Sequence, residues 1–516
     1  MKVLVTGGTG VVGAAAVRAL IASGHRVRLF SRHARENRPQ TARWRGEVEV
    51  RTGSVADPAE VQGVAEGCDA VLHIAGIAEE QPPQATFARI NVDGTRHLVA
   101  EAERAGVRRF VHVSSLGADA GASAYHASKL EAEEIVRGFR GAWLICRPGN
   151  VYGPGDEVIS FLLQIVRGSP VAPLIDLGDQ PFQPLWAEDL GAALAMAVDR
   201  EDLSGRVLLL AGTEVTTMQD LVDRLARLTG RRPVQLPLPS ALASLGARAA
   251  SALGLRLPFD DNKLTMLQEG NFLPPGEVNA LTEVLAIRPT PLDEGLAQLA
   301  NRQPEQIEGS GHLVRRRFRT RLEGVTRYPK ELFQEFRRRF FELAPEATLR
   351  PAGEPVEKTR IELGSTLTLD LPLRGHVQVR VVEITNTSMT FATLAGHPLA
   401  GVNTFRFDGI PGHDLHFEVE TCDRSATPVD DFAMHTLGIL MKRWTWQKLV
   451  ERTAEAFGSP PPIEVHTEEE TLEGEAERQA LKEMERKIAA AAREVEPDLQ
   501  EEARGKMAEA EALKPV

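Results

Sequence analysis

The sequence predicts an α/β chain: a doubly wound parallel sheet with a small substrate lobe, followed by a unit of α+β type. Three observations predict it. Short apolar runs alternate with amphipathic stretches over residues 2–146, a glycine-rich turn separates the first run from the segment after it, and beyond residue 305 the apolar period changes to two. At 516 residues the chain is also too long for one core, so two or three domains are expected.

The apolar runs are 3–5, 27–30, 48–50, 70–74, 110–113 and 143–145, with helical stretches between them. Parallel strands buried on both faces need helices on either side, which is the βαβ rhythm of a Rossmann-type sheet. Residues 150–305 are less regular, jointed at Pro233, Pro237, Pro258, Pro274, Pro275 and Pro291, and predict the lobe that shapes a substrate cleft. A first domain over 1–305 follows. The next domain is expected at 312–460. It opens with an arginine-dense helix over 314–343, continues as strands at 366–371, 377–384, 389–394, 402–407 and 415–419, and closes with a helix over 429–457. Within that helix, Phe432, Leu437, Leu440, Trp444 and Leu449 read as the packed face. Of Trp444 and Trp446, which point to opposite sides, Trp444 is expected in the core.

An antiparallel sheet closed by one long helix is a helix-grip arrangement, which can enclose an apolar cavity. Residues 464–516 carry sixteen acids against eight bases and account for most of the net charge of −12, so they are expected as a solvated helical tail broken at Pro497. This acidity argues against nucleic acid as a partner. Cys68, Cys146 and Cys422 are far apart, which suits a reducing compartment and gives no metal-binding spacing. The start at Met1 runs directly into an apolar strand, and the longest apolar stretch, 238–255, is interrupted by Pro239 and Arg248. A cytoplasmic protein with no membrane-spanning segment is expected.

The candidate chemistry lies in the first domain. Gly7, Gly10 and Gly13 follow a strand and open a helix, so the backbone of Thr9, Gly10, Val11, Val12 and Gly13 would face a dinucleotide diphosphate. At the end of the second strand stand Ser31, Arg32 and Arg35, with no acid to bind a free 2′-hydroxyl. NADP(H) is therefore preferred over NAD(H), which stays possible if the arginines are merely solvated. Ser114 and Ser115 end the fifth run, and Tyr125 and Lys129 follow four residues apart on one helical face. A phenol needs its ordinary pKa of about 10 lowered to work as an acid or base near neutrality, and a neighbouring ammonium does that. Ser115, or else Ser114, would hold the substrate oxygen while Tyr125 exchanges its proton.

The segments 6–13, 73–76, 91–95, 113–115, 125–129 and 147–156 together resemble the extended and atypical short-chain dehydrogenase/reductases of the NAD-dependent epimerase/dehydratase superfamily. The phrases 115–119, 182–190 and 288–292 resemble bacterial relatives of a nucleotide-binding accessory subunit of respiratory complex I. The resemblance implies Ala75 and Gly76 along the coenzyme backbone, Asn91 near the catalytic group, and Pro148, Gly149 and Val151 near the nicotinamide. It places Ser54 and Val55 where an acid usually meets adenine. Residues 391–398 and 425–452 resemble START-like or polyketide-cyclase-like domains, which implies a cavity for a lipid-like ligand.

Together these imply an oxidoreductase acting on a hydrophobic small molecule. A non-catalytic NADPH-binding scaffold and a nucleotide-sugar epimerase or dehydratase are the alternatives. The arginines at 315–317, 319, 321 and 337–339, interleaved with phenylalanines, are open to anionic lipid headgroups or to pairing with the acidic tail. His397 and His413 are expected in surface turns.

Overall fold

The computed structural model describes residues 1–32, 48–119, 123–239, 271–352, 354, 361–372, 374–433 and 438–512. Arg35, Pro258, Leu437 and most of the 238–255 stretch lie outside them.

The first unit is built on seven parallel strands: β1 (Lys2–Thr6), β2 (Arg26–Ser31), β3 (Val48–Thr52), β4 (Ala70–His73), β5 (Arg109–Val113), β6 (Ala142–Pro148) and β7 (Arg206–Leu210). Their order across the sheet is β7-β6-β5-β4-β1-β2-β3. The order in which successive strands are laid down reverses between β1 and β4, the switch point where a doubly wound sheet opens a crevice at its carboxyl edge. Successive side chains of a strand face opposite ways, so Val3 and Val5 join one core while Leu4 joins the other. Helices α1 (Val11–Ala22) and α5 (Ala187–Asp199) cover the first face, α2 (Gly94–Arg104) and α3 (Ala124–Arg137) the second. A separate cluster around α4 (Ile159–Gly168) packs Leu162, Leu163, Val166, Trp186 and Leu296 in the lobe.

The second unit is an eight-stranded antiparallel sheet. In chain order its strands are β8 (Ser310–Arg321), β9 (Arg350–Pro351), β10 (Thr366–Leu371), β11 (Gly375–Ile384), β12 (Ser388–Thr393), β13 (Leu399–Asp408), β14 (His416–Ser425) and β15 (His466–Leu472). Spatially they run β9-β10-β11-β12-β13-β14-β8-β15. Helices α6 (Pro329–Leu343) and α7 (Ile439–Ala456) lie on one face, where Phe336 packs against Phe405, Phe407 and Phe417.

The structure corrects several sequence expectations. The arginines at 315–321 lie on a strand, not a helix. Arg316, Phe318, Thr320 and Leu322 are buried while Arg319 and Arg321 are exposed, a period of two that belongs to β structure. In the register of β8 with β15, Arg315, Arg316 and Arg317 face Glu470, Glu469 and Glu468 and form ion pairs with them. Trp446, not Trp444, is the core tryptophan: Trp444 is 46% exposed, because its face of α7 continues through the polar Gln447, Lys448 and Glu451. His397 does lie in a turn but is buried, whereas His413 is exposed as expected.

The acidic tail is neither wholly helical nor solvated. Its first part is β15, and the rest forms helix α8 (Gly474–Ala512), which continues through Pro497. Met484, Ile488 and Ala491 cover the outer face of the second sheet against Val382, Val402 and Cys422. Further along, Ala503, Met507 and Ala510 join the first unit's core beside α1 and α5. Alternate small and apolar residues at helical spacing suffice for this packing despite the high charge. A second junction is polar: Arg167 on α4 binds both carboxylate oxygens of buried Glu354 at 3.0 and 2.6 Å and reaches Gln378 on β11 at 2.9 Å.

Candidate coenzyme and catalytic site

The glycine turn after β1 is shaped by close approach. Gly7 has φ of +72°, and a Cβ there would lie 2.7 Å from the Ala75 nitrogen; a Cβ on Gly13 would lie 2.1 Å from the Gly7 carbonyl oxygen. Only glycine fits either place. Gly10 is the N-cap of α1, and no side chain caps the helix. The first-turn amides of Val11, Val12 and Gly13 thus have no side-chain acceptor and face the crevice at the switch point, an arrangement that suits a diphosphate. The loop therefore fits a dinucleotide coenzyme.

The ends of the neighbouring strands converge on this loop. Thr9 and Ser31 have hydroxyl oxygens 3.3 Å apart, which ties the turn to the tip of β2. Arg32 beside it is exposed and makes no ion pair or hydrogen bond among the described residues, in contrast to Arg28, which is buried and paired with Glu49. After β3 the Ser54 amide donates to Glu60, a carboxylate supplied from six residues on, and Val55 is buried against Gly94.

A polar chain runs under the crevice. Thr6 contacts His73 at 2.7 Å, His73 contacts Thr95 at 3.0 Å, and Thr95 donates to the Asn91 carbonyl at 2.6 Å. Asn91 accepts from the Ile77 amide and donates to the Ile77 carbonyl and to Ser128, which in turn donates to the Tyr125 carbonyl. Ala75 donates to Thr6, and Gly76 approaches Asn91 and Lys129 so closely that a Cβ would lie 3.3 and 3.6 Å from their polar atoms. Thr6, His73, Thr95 and Ser128 lie in the segments 6–13, 73–76, 91–95 and 125–129 that carry the resemblance, but sequence reasoning assigned them no individual role, since spacing does not show that they join in one buried polar chain.

The structure brings Ser115 and Tyr125 together, with Tyr125 half-buried, and buries Lys129 one turn further along the same helix. The side chain of Ser115 hydrogen-bonds the Tyr125 hydroxyl, and Tyr125 is enclosed by Phe87 and His126 at ring separations of 6.0 and 5.3 Å. Burial pushes the phenol above its ordinary pKa, and the Ser115 hydrogen bond opposes that rise. This differs from the expected lowering by the ammonium. Lys129 donates to the Val113 carbonyl at 2.7 Å, and burial brings its pKa down to about 8, with Glu133 acting the other way. Its charge is felt by His73 and His112, whose pKa values it helps to depress.

Ser114 is turned away. Its hydroxyl donates to Glu133 at 2.6 Å, and Glu133 is held by Arg147 at 2.8 Å through each of its oxygens. Between the two serines, the structure therefore puts Ser115 beside the phenol. Pro148, Gly149 and Val151 form the far wall: the Leu116 amide bonds to the Pro148 carbonyl, Gly149 fits tightly under Gln183, and Val151 pairs with Leu185. Among the described residues no cluster of metal-ligand type occurs and no helix is long and apolar enough to cross a membrane.

Comparison with known proteins agrees with this geometry. Residues 3–211 match the model of the NAD dependent epimerase/dehydratase family. The chain is 35% identical over 247 residues to the ceramide reductase of Caulobacter vibrioides, covering 47% of this chain and 75% of that protein. It is 32% identical over 264 residues to sterol demethylase protein B of Methylococcus capsulatus, 47% of this chain and 79% of that one. The mitochondrial NADH dehydrogenase (ubiquinone) 1 alpha subcomplex subunit 9 of Arabidopsis thaliana is 26% identical over 277 residues, 52% and 68% of the two chains. With a glycine turn, a helix without a side-chain cap and a Ser115–Tyr125 hydrogen bond at the carboxyl edge of a parallel sheet, the chain belongs to the NAD dependent epimerase/dehydratase family.

Proposed function

We propose that this protein is an NADP(H)-dependent oxidoreductase acting on the carbonyl or hydroxyl of a hydrophobic small molecule, with a helix-grip second domain that binds lipid-like ligands. The observation that carries the redox reading is the hydrogen bond between Ser115 and Tyr125, with Lys129 buried one turn on along the same helix. The bound nicotinamide supplies or accepts the hydride. Ser115 orients the substrate oxygen, and Tyr125 gives that oxygen its proton in reduction or takes it in oxidation. Asn91 ties to the same helix through Ser128, whose hydroxyl donates to the Tyr125 carbonyl, and so helps to position the residue that carries the phenol. Arg32, exposed and without a partner among the described residues, supports the preference for a 2′-phosphate. A hydrophobic substrate is supported by two relatives, one a ceramide reductase and one a sterol demethylase protein.

The test is NADPH oxidation by the purified chain against a panel of long-chain ketones and oxosteroids. Turnover that falls at least about a hundredfold in Tyr125→Phe supports the reading, since acid-base groups contribute about 10²–10⁴-fold. Arg32→Ala should weaken NADPH binding while leaving NADH binding nearly unchanged; equal loss of both coenzymes would remove the NADP(H) preference. One observation favours a second reading, a non-catalytic NADPH-binding scaffold: the phenol is held above its ordinary pKa, not below it. Tight NADPH binding without turnover across the panel would support that reading.

A further inference from the structure

The second unit holds a cavity of about 310 Å³ between its sheet and helices α6 and α7. Leu369, Val379, Phe391, Phe405, Phe340 and Trp446 make its walls apolar. Two cations also line it, but each is already neutralised. Lys442 donates to both carboxylate oxygens of the buried Asp423, and Arg374 is paired with Asp430.

Two other polar side chains line the cavity with capacity to spare. Asn403 shares the inward face of β13 with Phe405, two residues on, and its amide makes no hydrogen bond among the described residues. His397 is 8% exposed. Its Nδ1 sits 3.0 Å from the Leu399 nitrogen and 3.1 Å from the Leu399 oxygen, which fixes the ring and leaves Nε2 without a partner among the described residues. The Trp446 indole N–H is buried and unpaired as well. Burial lowers the His397 pKa to about 4, so the imidazole is neutral near pH 7. Unpaired buried polar groups cost free energy that a ligand's oxygen would recover.

Resting on the reading of the second domain as a ligand-binding one, we propose that this cavity binds an uncharged, mostly apolar molecule with one carbonyl or hydroxyl group, held by Asn403 and His397. A carboxylate of the same length would be rejected. It would enter an apolar space whose cations are committed elsewhere, and a buried charge without a partner is strongly unfavourable. The turns that carry Arg374 and His397 abut α4 through Gly375 at Arg167 and Gly396 at Gln164, so the polar end of the cavity faces the coenzyme unit.

The full chain, without coenzyme, would be titrated calorimetrically with 2-tridecanone, 2-tridecanol and tridecanoate, using wild type, Asn403→Leu, His397→Leu and Tyr125→Phe, with circular dichroism to confirm folding. The ketone and alcohol should bind, the carboxylate about tenfold or more weaker, the loss expected from one missing polar contact or more. Asn403→Leu should weaken ketone binding about tenfold, and Tyr125→Phe should leave it unchanged. Carboxylate binding as tight as ketone binding, or no binding of any probe, overturns the proposal. Ketone binding lost in Tyr125→Phe but kept in both folded cavity variants overturns it too, while leaving the redox reading intact. Binding as expected, together with no NADPH oxidation in the separate assay across the panel of ketones and oxosteroids, sinks the redox reading alone.

Discussion

His73 and His112 show how burial at single residues becomes a property of the protein. Their rings lie 5.2 Å apart, and both nitrogens of His112 lack partners among the described residues. Burial, and after it the charge of Lys129, brings His73 down to about 3 and His112 well below its usual range. Unfolded, each would titrate near 6.5. A lowered pKa contributes stability that is complete above the unfolded value and is lost as pH falls toward the folded one, because the unfolded chain then binds more protons. Urea unfolding should therefore show stability falling between pH 6.5 and 4. His112→Phe should flatten that slope without loss at pH 7; a steeper slope in the variant would contradict the assignment. The glycine turn and the Tyr125–Lys129 spacing were legible in the sequence because each is local. Trp446 was not, since either tryptophan suits an isolated helix and only the neighbouring sheet decides which face is inward. His397 was missed for a related reason, as a turn rich in small residues reads as surface until something packs over it.

At the scale of elements, two clusters of charge behave differently. The β8–β15 ladder is an array of Arg–Glu pairs at a sheet edge, and several are largely exposed, so individual members contribute little. Arg167 is the opposite case. It and Glu354 are both buried, and Arg167→Ala would leave an enclosed carboxylate whose remaining side-chain partner among the described residues is His376, 3.1 Å away. The expected loss is about 3–5 kcal/mol, measurable by chemical denaturation. The change in pH dependence carries a further check: Arg167 helps to hold Glu354 below the usual carboxylate range, so without it the stability lost on acidification should be smaller. Six of the seven strands of the first sheet, and β10 to β14 of the second, were readable from their apolar runs and periods. The long polar contact between α4 and β11 was not, because it joins residues far apart in the chain, and arginine density alone suggested helix for β8 until the alternation of its partners set it as strand.

At the scale of the whole molecule, α8 is the principal connector. Its 39 residues extend about 58 Å at 1.5 Å per residue, enough to lie first on the second sheet and then on α1 and α5. Lys506 donates to Asp189 at 2.6 Å and to Thr290 at 2.9 Å, and Asp189 is fully buried. Lys506→Met should therefore destabilise by about 3–5 kcal/mol by leaving that carboxylate uncompensated. Calorimetry on Lys506→Met should show the first unit melting separately from the second; one unchanged transition would argue against the coupling. The same helix bears on biosynthesis. During translation the flank of α1 and the back of the antiparallel sheet stay bare until residues 480–510 have left the ribosome. The nascent polypeptide must carry those sticky surfaces longer than any other, and it is there that chaperone engagement or misassembly is expected to concentrate.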